Sequence, residues 1–426
     1  MKKATAFVIA PGPSIKLDDV MGSEVLPGNP GLQATLDSGV ARTLRRRRNY
    51  HLQRLARGMF KGGYSPTGVP WRVCECKRHP GKVRERSPST GAMVVGDSKF
   101  VEVWRDKESG VASYRKLAAC GSVWTCAVCA GKISAVRMGE VQAATERASV
   151  LRFGICMVTL TVRHGSGDAV KPMLEKMSKA LKLMRNNRST VALRKAWDFK
   201  GLIRALEVTY CEANGWHPHF HELHFFKGEM SRERCVEYQA AIASAWVKAC
   251  ETAGLPAPDR AIGVDVKFVD PSSAADVGLY TAKAFAAELT FGMKKQARAG
   301  RYSVWELLEA GRYSLFREYA EAFHGRRQLL WSPGLKALLA VPEVSDDEAA
   351  GDEVEVAGER ADEIVLRLPA EDWAKLRSFP GDLRVELLEL IEERDRGAVD
   401  LWCRDIGIRP HWVVSDLRDW RALRAA

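Results

Sequence analysis

Gly215-Trp216-His217-Pro218-His219-Phe220-His221 sets three histidines at every second position, the spacing that lines one face of a β-strand. Imidazoles gathered this way suit a first-row divalent metal, and coordination positions left for oxygen make such a centre catalytic rather than structural. Just upstream, Gly201 to Cys211 is a second β-rich run, joined through the turn residues Glu212-Ala213-Asn214-Gly215. A three-residue turn puts Glu207 opposite His221, whereas a slip of one residue sends it to the other face. Glu207, His219 and His221 are then a two-histidine, one-carboxylate set for Mn²⁺ or Mg²⁺, with His217 an extra ligand on the same face. His224 has the opposite parity and stays out.

Around this hairpin the pattern is regular. Phe153 to Arg163 reads as a strand, Val170 to Trp197 as one basic amphipathic helix, Ser231 to Ala253 as a helix, Ile262 to Val269 as a strand and Pro271 to Leu289 as a helix. The order β-α-β-β-α-β is that of the ferredoxin-like split βαβ plan, an α+β fold whose antiparallel sheet has its first and third strands at the centre. The histidine strand is the third, so the metal is expected on the uncovered face beside Thr159 and Thr161.

The chain has 426 residues with 65 Lys+Arg against 53 Asp+Glu, a net +12. Ten acids and one arginine lie between Glu343 and Glu363, so the remainder carries about +21 and favours a polyanion such as nucleic acid. No apolar run reaches membrane-spanning length and the first residues are too short for a signal peptide, so no membrane association and a cytoplasmic setting are expected. In that setting the ten cysteines point to metal binding or burial rather than disulfides. Cys126-x-x-Cys129 is one knuckle of a structural zinc site and Cys74-x-Cys76 the other, with Cys120 a fifth thiol for four places and His79 nearby. Cys156, Cys211, Cys235, Cys250 and Cys403 sit in apolar patterns and read as small core residues.

Six segments follow. Residues 1–66 are a basic, partly disordered arm, 67–150 the Cys-rich zinc-ribbon-like segment, 151–300 the catalytic domain and 301–342 a helical extension. Residues 343–365 are an acidic, solvated linker, and 366–426 a small helical domain with Asp382 as N-cap and Gly397 at its end. Arg45, Arg46, Arg47 and Arg48 in the arm and Arg326 and Arg327 in the extension are the candidate DNA contacts.

On the last core helix Asp276, Tyr280 and Lys283 are spaced by four and three, so they share a face, and a tyrosine beside a lysine can serve as a nucleophile. Together with Val158-Thr159-Leu160-Thr161-Val162 and the histidine strand, Tyr280-Thr281-Ala282-Lys283 completes three motifs in an order that resembles the rolling-circle replication initiators of bacterial plasmids, a branch of the HUH endonucleases. Cys120 to Ala130 resembles a segment common in that group, and the likeness runs from about Cys120 to Leu335. It implies that His219, His221 and Glu207 hold a divalent ion and that Tyr280 attacks single-stranded or hairpin origin DNA. The expected products are a 5′-phosphotyrosyl link and a free 3′-hydroxyl, with host helicase and polymerase as partners. Many such initiators carry a second tyrosine for the closing step. None lies three or four residues from Tyr280, which leaves Asp276, then Glu288, as the acid for that role. An HUH transposase or relaxase shares this chemistry, and a non-catalytic zinc-dependent DNA-binding protein is the reading from another class.

Overall fold

A computed structural model describes residues 39–86, 93–228, 230–259, 263–269, 300–351, 362–378 and 382–414. By their contacts, Met1–Arg45 and Arg46–Ala426 form two units, and of the first only residues 39–45 are described, as the opening of helix α1 (Gly39–Phe60). After α1 come a 3₁₀ turn (Arg72–Glu75) and the strands β1 (Lys82–Arg86), β2 (Met93–Asp97), β3 (Phe100–Asp106) and β4 (Ala112–Arg115). Helix α2 (Ala127–Val150) leads into β5 (Phe153–Thr161), α3 (Val170–Asn186), α4 (Arg188–Ala196), β6 (Phe199–Cys211), β7 (Gly215–Lys227), α5 (Arg232–Ala253) and β8 (Val264–Val269). Then follow β9 (Arg301–Tyr302), α6 (Val304–Glu309), α7 (Tyr313–Phe323), β10 (Leu329–Trp331), α8 (Leu335–Leu338) and α9 (Asp346–Ala350). The described chain ends with β11 (Asp362–Pro369), α10 (Ala370–Ser378), α11 (Leu383–Glu393), α12 (Arg396–Asp405) and β12 (His411–Trp412).

The larger sheet runs β10-β6-β7-β5-β8, with β9 also on β6, and every pairing is antiparallel. β5 and β7, the first and third strands of the βαββαβ run, are neighbours at its middle. One face buries the even-numbered Cys156, Val158, Leu160, Leu206 and Phe220 under α3 and α5. Helix α3 supplies Val170, Met173, Leu174, Met177, Leu181 and Met184, a stripe of period 3.6, while its lysines stay outside. Each such fully buried side chain contributes about 1.5–3 kcal/mol. The expected single helix from Val170 to Trp197 is two, because Asn187 turns extended and its side chain accepts from Ser189 N, capping α4.

The opposite face is not bare throughout. At one end α2 and the α8 turn cover Ile155, Ile203, Leu223 and Phe225. Among the described residues α2 and the α8 turn do not reach the end carrying Thr159, Thr161, Glu207 and the histidines, yet that end is not the open face expected, since His221 is buried and the Glu207 and His219 side chains are only 11% and 12% exposed. Pro218 lies one residue past the last β5–β7 pair, so its missing N–H costs the ladder nothing on the β5 side.

A second sheet, β12-β11-β3-β4, corrects the expected domain boundaries. The boundary at 365/366 falls inside β11, which pairs with β3 from Asp362↔Asp106 to Pro369↔Phe100. Val101, Val103 and Tyr114 thus share a core with Leu366, Trp373, Leu387 and Ile391, so the tail from 366 is neither purely helical nor separate from the Cys-rich segment. The flanks of the acidic stretch are also folded, although Glu343 and Asp347 remain exposed. Ser345 and Glu348 form a capping box on α9, Asp346 pairs with Arg137, Asp347 with Arg72, Asp362 with Arg115 and Glu363 with Arg105. Asp382 precedes α11 without a side-chain cap bond, and Gly397 lies inside α12 rather than ending a helix. No described helix is long and apolar enough to cross a membrane.

Candidate functional site

Thirteen-residue β6 and β7 form the longest hairpin among the described residues, closed by Glu212, Ala213 and Asn214. Gly215 has φ +71°, and a Cβ there would stand 2.9 Å from the Gly165 carbonyl oxygen, so only glycine fits the corner. The resulting register pairs Cys211 with Gly215, Glu207 with His219 and Ala205 with His221. Glu207 was expected opposite His221. The turn does have three residues, but counting back from the Cys211–Gly215 pair gives 219 and not 221 as the partner of 207; the difference is an even shift of two, which preserves parity and leaves Glu207, His219 and His221 on one face.

Their polar atoms converge. Glu207 Oε2 lies 3.1 Å from His219 Nε2 and 3.4 Å from His221 Nε2, and one ligand atom of each residue falls within 4.8 Å of the others. A divalent ion with bonds of about 2.1 Å at right angles needs donors about 3 Å apart, so the set fits such an ion. The other ring nitrogens are engaged: His221 Nδ1 lies 3.1 Å from Thr159 Oγ1, and His219 Nδ1–H donates to the His217 carbonyl at 3.4 Å. The carbonyl bond selects the His219 tautomer with a free Nε2 turned to the carboxylate.

His217 stands outside the convergence. Its Nδ1 lies 2.6 Å from His164 Nε2, and His164 Nδ1–H donates to the Asn214 carbonyl at 2.8 Å. Burial first, then the charges of His219 and His164, push the His217 pKa down to about 4. His164 was not found by sequence reasoning, because it sits in the loop after β5 where no periodicity marks it. Behind the sheet lies a second unforeseen group. Glu222 Oε1 accepts from Arg204 Nε at 2.5 Å, Glu222 Oε2 contacts His224 Nε2 at 2.6 Å, and His224 Nδ1 meets the Tyr238 hydroxyl at 2.9 Å. All four are buried. Asp276, Tyr280, Lys283 and Glu288 lie outside the described residues.

The cysteine site differs from expectation by one ligand. Cys76, Cys120, Cys126 and Cys129 converge, with Sγ separations of 3.4 Å (Cys76–Cys129), 3.6 Å (Cys120–Cys129) and 3.6 Å (Cys76–Cys126). Four thiolates at about 2.3 Å from a tetrahedral zinc stand about 3.8 Å apart, so the pocket is of that size. Gln53 Nε2 donates to Cys126 Sγ at 3.3 Å, an outer bond of the kind that orients a ligand. Cys74 is left out because it lies in the 3₁₀ turn, where residues two apart point about 120° from each other. Its thiol turns to the Arg57 carbonyl. His79 is exposed and faces the Pro80 carbonyl instead.

The candidate DNA-contacting arginines are mostly engaged. Arg46 pairs with Glu392, Arg47 with Glu389 and Arg48 with Glu309, at 2.8, 3.1 and 2.6 Å, while Arg45 is exposed in the first unit. Arg326 folds back on the Ala322 carbonyl, and Arg327 is exposed.

The model of the replication protein family matches residues 114–374 of this chain. Protein rep of Streptomyces lividans is 30% identical over 292 residues, covering 52% of this chain and 64% of that protein. A protein of Streptomyces cyanogenus named neomycin resistance protein is 29% identical over 156 residues, or 30% and 34% of the two chains. The chain therefore spans less than two thirds of either curated relative. No solved structure matches it. With well over half of its residues matched, from within β4 through the whole larger sheet to the first half of α10, the chain belongs to the replication protein family.

Proposed function

We propose that this protein is a plasmid replication initiator that nicks single-stranded origin DNA through Tyr280 and rejoins it at the end of rolling-circle replication. The observation that carries the reading is the convergence of Glu207, His219 and His221 on one face of the sheet. The strand order of that sheet, with the fourth strand of the βαββαβ run beside the first and the second beside the third, supports a ferredoxin-like HUH core in residues 151–300.

In this reading Glu207, His219 and His221 hold Mn²⁺ or Mg²⁺, which when bound polarises the scissile phosphate and offsets its developing charge. Tyr280 loses its phenolic proton and attacks phosphorus. The new P–Oη bond forms as the P–O3′ bond breaks, and the departing 3′-oxygen takes a proton to become the hydroxyl that a polymerase extends. Lys283 favours the phenolate by its charge. Attack by a second 3′-hydroxyl on the phosphotyrosine reverses the exchange and seals the circle, with the Asp276 carboxylate as the base that takes the hydroxyl proton while the P–Oη bond breaks and Tyr280 leaves as the phenolate. Cys76, Cys120, Cys126 and Cys129 hold a structural zinc that ties the segment around Cys76 to the start of α2.

The test is incubation with Mn²⁺ and a labelled origin hairpin, followed by denaturing electrophoresis. A covalent adduct is expected with wild type, none with Tyr280→Phe, and almost none with His219→Ala/His221→Ala. A wild type that binds the hairpin and never forms the adduct refutes the proposal.

A further inference from the structure

A cleft of about 520 Å³ lies between the C-terminal end of α1, the loop after it, the 3₁₀ turn and α10. Five cations line it, Arg54, Arg57, Lys61, Arg78 and Arg377, against the single carboxylate of Glu75. Arg57 and Arg377 have no carboxylate within ion-pair reach among the described residues. Glu75 lies 3.7 Å from Arg78, and Arg54 reaches Asp382 only at 3.9 Å. Burial, then the neighbouring guanidiniums of Arg78, Arg384 and Arg54, lowers Arg57; burial, Arg78, Arg57 and Arg384 do the same to Arg377. Like charges gathered with so few counter-ions mark a place that favours an anion.

Two further observations point the same way. Arg377 Nε and the indole N–H of Trp71, both on cleft-lining residues, are buried donors with no hydrogen-bond partner. Buried donors are normally satisfied, so two unpaired ones behind the wall of a five-cation cleft add to its excess of positive charge. At the rim Tyr64 is 67% exposed, yet its backbone is rigid. It bridges to Pro70, Ser65 N–H donates to the Val69 carbonyl at 2.8 Å, and the Ser65-Pro66-Thr67-Gly68 turn closes with a bond of 2.9 Å. An exposed ring on a stiff turn beside a cationic groove is the arrangement that holds single strands, with phosphates on the cations and a base on the ring.

We infer that this cleft binds a segment of single-stranded DNA, its phosphates on Arg57, Arg78 and Arg377 and one unpaired base stacked on Tyr64. This deepens the initiator reading by placing a strand contact away from the metal centre. A single strand is favoured over duplex because stacking on Tyr64 needs a free base face.

The experiment measures anisotropy of a fluorescein-labelled oligothymidylate of about 12 nucleotides on the full chain across a NaCl series. Tyr64→Ala weakens binding at least about fivefold, the loss of one stacked base. Arg57→Gln/Arg377→Gln lowers the slope of log K against log[salt] by about 1.4, two single-strand phosphates at about 0.7 each. Arg57→Lys/Arg377→Lys keeps the slope, and unchanged zinc content and circular dichroism show the variants folded. Wild type binds the oligothymidylate equally well with and without added Mn²⁺, so failure of the cleavage reading is told apart from failure of this one. Unchanged affinity and slope in both Tyr64→Ala and the Gln pair overturn the inference. So does a duplex of equal length that binds as tightly with the same dependence on Tyr64.

Discussion

Glu207 and His219 are register partners in the β6–β7 ladder, with Oε2 and Nε2 3.1 Å apart, and His221 brings its own Nε2 within 3.4 Å of the same oxygen. One carboxylate oxygen therefore serves as the shared vertex of the three-donor set. Glu207→Gln keeps the shape and removes the charge, and is expected to weaken Mn²⁺ binding by more than the 10- to 100-fold typical of losing an outer-shell partner. Titration calorimetry with Mn²⁺ on the zinc-loaded chain checks this. An affinity equal to wild type refutes the metal role of Glu207.

The cysteine geometry separates two residues that spacing alone treats alike. Cys120 Sγ lies 3.6 Å from Cys129 Sγ, whereas Cys74 turns to a backbone carbonyl. Cys120→Ser is expected to lose most of its zinc and to unfold at lower temperature, since structural zinc contributes folding free energy outright. Cys74→Ser is expected to keep one equivalent, read by plasma mass spectrometry on dialysed protein. Equal zinc in both variants removes Cys120 from the ligand set.

What could be read from the chain was what depends on parity and local period. Alternation assigned Glu207, His219 and His221 to one face whatever even register the turn selected, which is why an error of two left the cluster intact. The stripe on α3 was equally plain, and its end at Asn187 was missed only because the apolar spacing carries on past the cap. Parity says nothing about distant partners. The β3–β11 pairing joins residues more than 250 positions apart, so the tail read as a separate helical unit until the sheet showed otherwise. His164 and Arg204 were invisible for the same reason, since their partners are set by the fold rather than by neighbours in sequence.

Glu222 is fully buried between Arg204 and His224; burial is the largest single influence and raises its carboxyl, but the Arg204 charge and the contacts to Arg204 and His224 together outweigh it and hold the group well below the usual range. Removing one partner of such a pair leaves an uncompensated charge, so Arg204→Met is expected to cost about 3–5 kcal/mol in urea unfolding. Arg204→Met/Glu222→Leu should recover much of that loss, because replacing both charges by apolar groups removes the desolvation cost as well. Mn²⁺ affinity should change little in either variant, as Glu222 faces away from Glu207 across the sheet. A single variant as stable as wild type contradicts the argument.

The His217 site predicts a pH dependence of stability whose sign follows from its depressed pKa. The unfolded imidazole takes a proton near 6.5 and the folded one only near 4, because burial and the neighbouring His219 and His164 oppose the charge. Between those values the unfolded state binds more protons, so stability falls as pH drops. The penalty is absent above about 6.5 and complete below about 4. His224, buried and also lowered, adds to the slope in the same direction, so the test is the difference made by one residue. Urea unfolding of wild type and His217→Gln at about pH 7.5 and 5.0, with zinc supplied and no Mn²⁺, isolates it. The variant should lose less stability than wild type on acidification; an equal loss means that His217 carries its proton in the folded chain.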